Sequence, residues 1–83
     1  MWINPHEHKL VGRVLAEARE RAGLSQDALA EKLGKPQSFV SGYENGHRRV
    51  DVLELLRIAA ALNADPKRVF ARIADERSRV GNA

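Results

Sequence analysis

Gln37, Ser38 and Ser41 place an amide and two hydroxyls, groups that donate and accept hydrogen bonds, within one short stretch of the chain. A glutamine amide matches the paired N6 donor and N7 acceptor on the major-groove edge of adenine, whereas a serine hydroxyl fits several partners and discriminates less. Gln37 is therefore the first candidate for reading base sequence. Phe39 could lie against a thymine methyl group, and Gly42, which costs about 1 kcal/mol in a helix relative to alanine, could permit close backbone approach. No Lys or Arg lies between Pro36 and Asn45, so attraction to phosphate has to come from the flanks. Lys35 precedes this run, His47, Arg48 and Arg49 follow it, and Ser25 and Gln26 open an upstream helix whose amides can also meet phosphate. These groups together outline a contact surface for double-stranded DNA.

Such groups are useful only on rigid elements, and residues 24 to 46 supply the signals for two short helices around a tight turn. Ser25 suits an N-cap and Asp27 the first turn, with Ala28, Leu29 and Leu33 inward. Ala30 is small enough for a second helix to cross closely, Gly34 can take the positive φ that reverses the chain, and Val40 returns an apolar contact to the crossing. Pro36 suits the first turn of the next helix, because its φ is preset and its missing N–H has no intrahelical role there. At about 100° per residue, Val40 and Tyr43 share the inward side of that helix while Ser38, Ser41 and Gly42 lie opposite. This is the plan of a helix-turn-helix, whose second helix enters the major groove.

The remaining chain frames this pair. An extended leader over residues 1–5 is expected before a first helix from about His6 to Ala22, with Leu10, Val11, Val14, Leu15, Ala18 and Ala22 on its apolar face. Trp2 and Ile3 belong either to a loose leader or to a cover over the fifth helix or a partner's. Asp51, with Glu54 three residues on, opens a fourth helix as a capping box. Its apolar residues go most of the way round from Val52 to Leu62, which predicts the most buried helix. Asn63 can stop it, and Asp65-Pro66 starts a fifth helix, with a frayed tail expected over residues 75–83. The fold class is all-α, a compact bundle of about five helices forming one domain over residues 6–74.

Eighty-three residues suffice for one small core and leave no space for an ordinary catalytic cleft. Fourteen Lys and Arg against eleven Asp and Glu give a net charge of +3, a modest preference for a polyanion. Cysteine is absent, so stability is expected from packing, caps and association. No run of about eighteen apolar residues occurs, and Met1 to Pro5 lack the order of a signal peptide, so a cytoplasmic location is expected. His6 and His8 fall on different sides of a helix without a third ligand, which argues against a metal site. No nucleophile with a base, carboxylate pair or phosphate-cradling glycine loop is present, so neither an enzyme nor a cofactor is expected.

The run from Leu24-Ser25-Gln26 to Ser41-Gly42-Tyr43-Glu44-Asn45-Gly46, preceded by Ala18-Arg19, resembles the Xre family of lambda-repressor-like helix-turn-helix regulators. The resemblance spans roughly residues 9 to 73. It implies five helices, a third helix that reads operator DNA, and a homodimer on a palindromic site, most simply as a repressor. It places DNA contacts at Gln26, Gln37, Ser38 and Ser41, and a structural pair between Arg19 and Glu44. Pro36 departs from the Ser or Thr cap of many relatives, and Gly42 replaces a longer polar side chain. Val69, Phe70 and Ile73 are the candidates for a dimer contact or for the monomer core. The alternative function is a protein-interaction module, such as an antitoxin bound to its toxin.

Overall fold

The computed structural model describes residues 5–81, so Trp2 and Ile3 of the expected leader lie outside the described residues. Five helices follow one another: α1 (Pro5–Arg21), α2 (Gln26–Leu33), α3 (Gln37–Glu44), α4 (Val52–Ala61) and α5 (Pro66–Gly81). Among the described residues there is no strand. α1 packs on α3 and α5, α2 on α3 and α4, and α4 on α5.

Local chemistry sets most of the ends. The Ser25 side chain accepts from the Ala28 amide, and Gly34 closes α2 at φ 67°. Asp51 and Glu54 form the reciprocal capping box of α4, and Asn63 leaves the helix at φ 58°. Pro36 differs from expectation by one position. At φ −70° and ψ 157° it is the extended N-cap of α3, so the helix begins at Gln37 without a side-chain cap.

Leu15, Leu29, Val40, Tyr43 and Ile58 are fully buried and unite α1 to α4 in one core, with Ala30 at the α2–α3 crossing. Each such aliphatic side chain contributes about 1.5–3 kcal/mol through removal from water. Tyr43 brings a hydroxyl into this core without a hydrogen-bond partner among the described residues, and burial pushes its pKa up. Gly12 lies in the interior of α1, where it faces the end of α3. A Cβ there would stand 2.7 Å from the Glu44 carbonyl oxygen and closer still to that of Tyr43, so α1 can cross at this distance only with glycine.

Three expectations require correction. α4 is not the most buried helix: Val52 and Leu53 are 73% and 62% exposed, Leu56 is exposed as well, and only Ile58 and Ala59 of its residues are buried. A helix apolar all round still has one side to turn toward its neighbours, and the opposite side of α4 has none among the described residues. Second, the three residues left open between core and dimer contact do not act as one group: Val69 is buried in the core and Ile73 packs against it, as the core reading has it, while Phe70 is exposed. Third, the helix does not fray after Asp75 but continues to Gly81. Ion pairs between α5 and α1 account for this. Glu76, 7% exposed, accepts from Arg13 at 2.8 Å, from Arg72 at 3.1 Å and from Arg79 at 2.8 Å. Arg72 also reaches Glu17 at 2.7 Å, and Arg77 reaches Glu7 at 2.7 Å.

Candidate nucleic-acid interface

The turn at Gly34 and Lys35 sets α3 across α2 so that the N-terminal ends of the two helices share one surface. Ser25, Lys35, Gln37 and Ser38 are exposed there, and Gln26 and Ser41 are half-buried. A chain of hydrogen bonds runs inward from this surface. Gln37 Nε2 donates to Gln26 Oε1 at 2.6 Å, and Gln26 Nε2 donates to Glu44 Oε1 at 2.8 Å. Arg19 then grips the Glu44 carboxylate with Nε at 2.8 Å and Nη2 at 3.1 Å, while its Nη1 donates to the Leu24 carbonyl at 2.8 Å. The structural pair expected between Arg19 and Glu44 is therefore present, and it holds both the start of α2 and the end of α3.

This chain determines what remains for a ligand. A carboxylate only accepts, so Gln26 must turn its nitrogen to Glu44 and its oxygen to Gln37. Gln37 consequently gives one N–H to the protein and keeps the other N–H and its Oε1. One donor and one acceptor on a planar amide are what the adenine edge requires. Ser41 Oγ makes a long contact with the Ser38 carbonyl oxygen, at 3.4 Å, so Ser41 is only weakly committed to its own helix.

Two apolar or backbone candidates are placed differently from the sequence reading. Phe39 is half-buried against the core, edge-on to Tyr43 at 5.6 Å and 81°, and its ring is covered by Arg48 at 4.4 Å and approached by Lys35 at 5.5 Å. Its faces are in use within the protein. Gly42 is half-buried beside the following loop, where a Cβ would meet Arg48 Cβ at 3.6 Å, and its carbonyl accepts from the His47 and Arg48 amides. It supports that loop and does not present open backbone.

The expected phosphate contacts also separate. His47 and Arg49 are exposed in the loop between α3 and α4. Arg48 instead binds Glu54 through two hydrogen bonds, of 3.0 and 2.7 Å, and donates to the Arg49 carbonyl at 2.7 Å. The Arg48 guanidinium and the Asp51 amide hold the Glu54 carboxyl well down, to about 2. The sequence marks Glu54 only as half of a capping box, and its spacing from Arg48 gives no helical signal because the loop lies between them.

Against known proteins, the helix-turn-helix family matches residues 15–69, more than half of the chain. The chain belongs to the Xre family of helix-turn-helix transcriptional regulators. It is 37% identical over 54 residues, 65% of its length and 70% of the relative's, to the HTH-type transcriptional regulator y4dJ of Sinorhizobium fredii. The structure of an Xre-family like protein from Pseudomonas syringae pv. tomato superposes with a TM-score of 0.75 at 37% identity, over 86% of this chain and 87% of that one. The restriction-modification controller protein C.AhdI from Aeromonas hydrophila superposes at 0.71 with 36% identity, covering 77% of this chain and 97% of that one. The Xre fold thus accounts for the five-helix order and for the pairing of α2 with α3. Among the described residues, no helix is long and apolar enough to cross a membrane.

Proposed function

We propose that this Xre-family regulator binds a palindromic operator as a homodimer, with α3 in the major groove, and represses by occupying DNA that polymerase needs. The observation that carries the base-reading part is the Gln37–Gln26–Glu44–Arg19 chain, which holds the Gln37 amide in one orientation before DNA arrives. Preorganisation of this kind removes ordering costs from binding. Ser38 and Ser41 flank that amide, and Lys35, Arg49, His47 and the opening amides of α2 at Ser25 and Gln26 meet phosphates. The dimer reading is supported by Val52, Leu53 and Leu56, exposed together on one face of α4, and by exposed Phe70 on the adjoining α5. Two-fold pairing would set the two α3 helices one DNA turn apart, about 34 Å.

Selection of binders from a randomised duplex library, followed by sequencing at two salt concentrations, tests this reading. The expected result is an enriched palindrome with half-sites about ten base pairs apart. With about three phosphates neutralised per protomer, the log-log salt slope is expected near −5. Gln37→Ala should lose about 1–3 kcal/mol on the selected site and relax one base position, whereas Arg49→Ala should weaken all sequences alike. Absence of enrichment at either salt would refute sequence-specific binding and turn attention to a protein partner such as a toxin.

A further inference from the structure

Three of the five N–H donors of Arg48 are committed within the protein before any ligand is present. Nη1 donates to the Arg49 carbonyl at 2.7 Å and to Glu54 Oε1 at 3.0 Å, and Nη2 donates to Glu54 Oε2 at 2.7 Å. The guanidinium also covers the Phe39 ring at 4.4 Å, and that ring stands edge-on to the fully buried Tyr43. Glu54 is in turn tied to the start of α4, accepting from the Asp51 amide at 3.1 Å while its own amide donates to Asp51 Oδ1 at 2.7 Å. On the other side, the His47 and Arg48 amides both donate to the Gly42 carbonyl. The loop is thus held from the core through Phe39, from α3 through Gly42 and from α4 through Glu54. Arg49, next to this anchor, has an exposed side chain without a hydrogen bond or ion pair among the described residues.

We propose that Glu54 and Phe39 are positioning residues for phosphate binding: they clasp Arg48, and the clasped loop presents Arg49 to the DNA backbone. The inference rests on the reading of α3 and its flanks as the DNA surface, and it removes Arg48 from the phosphate contacts expected from the sequence. It also makes a prediction opposite in sign to simple electrostatics. Glu54 is a negative charge beside the path of a polyanion, so neutralising it should tighten binding if charge alone mattered. The clasp requires the reverse.

The test compares wild type, Glu54→Gln, Arg48→Lys, Arg49→Ala and the double variant Glu54→Gln/Arg49→Ala on one selected duplex at fixed salt. Amide hydrogen exchange over residues 45–51 is measured in the same proteins without DNA. Glutamine at this position keeps the return bond of a capping box, so α4 should remain formed. Glu54→Gln is expected to weaken binding about fivefold and to speed exchange at the His47 and Arg48 amides, with little further loss when Arg49 is already alanine. Arg48→Lys should behave in the same way, because lysine keeps the charge but not the fork, whereas a direct phosphate contact would tolerate it. Equal or tighter binding by Glu54→Gln, or weaker binding with unchanged exchange, would overturn the proposal. Failure of the wild type to bind any duplex would overturn the DNA reading instead, and unchanged loop exchange in Glu54→Gln would still overturn the clasp.

Discussion

Glu76 illustrates how much a single residue can organise in a chain this short. Its carboxylate, 7% exposed, accepts hydrogen bonds from three arginines, one of them on α1, and Arg72 first and then Arg79 hold its pKa down to about 2. A carboxyl whose folded pKa lies below its unfolded value stabilises the fold above the unfolded value, near 4.3. That contribution is lost as pH falls toward the folded value. Glu76→Gln should therefore lower the thermal midpoint at pH 7, and the gap from wild type should close between about pH 4.5 and pH 2. Thermal melts across this range check it, and a gap that stays constant down to pH 2 would refute the ionic origin. Arg19 and Glu44 were readable as a pair before the structure because their positions belong to a motif. The tie from Glu76 to α1 was not: Arg72 and Arg79 lie within one helical turn of it, but Arg13 lies 63 positions away and nothing local links those two.

At the scale of elements, the ends were legible and the packing distances were not. Caps are local chemistry within about four residues, which is why Ser25, Gly34, Asp51 with Glu54, and Asn63 fell where expected. Pro36 shifted by one position because its fixed φ, −70° here, is compatible with the extended N-cap conformation at ψ 157° as well as with a helical turn. Gly12 carried no signal in the interior of an amphipathic helix, yet it sets the distance from α1 to α3. Gly12→Ala would drive a methyl against the Tyr43 and Glu44 carbonyls, and it should destabilise the protein by about 2–3 kcal/mol through overpacking. Urea unfolding measures this, with native helix content expected by circular dichroism. A stability equal to wild type would mean that α1 can shift away from α3 without loss.

For the whole molecule, the exposed apolar faces of α4 and α5 are the main surface left uncovered among the described residues. Leu53→Glu places a charge on that surface without touching the α2–α3 pair. It should leave the fold and the binding of a single half-site intact and shift sedimentation to monomer. Affinity for the full palindrome should fall about a hundredfold as effective concentration is lost. Unchanged sedimentation and unchanged palindrome affinity would place any dimer contact elsewhere.

The helix pattern, the turn at Gly34 and the polar face of Gln37, Ser38 and Ser41 were determined by the sequence itself, because each depends on neighbours within one or two helical turns. Only the tertiary structure decided that Arg48 belongs to Glu54, that Phe39 turns inward, that Val69 and Ile73 serve the core, and that α4 offers an apolar face to solvent. Those outcomes depend on which of several suitable partners lies within reach. Distance between residues far apart in the chain is settled only when all five helices have packed.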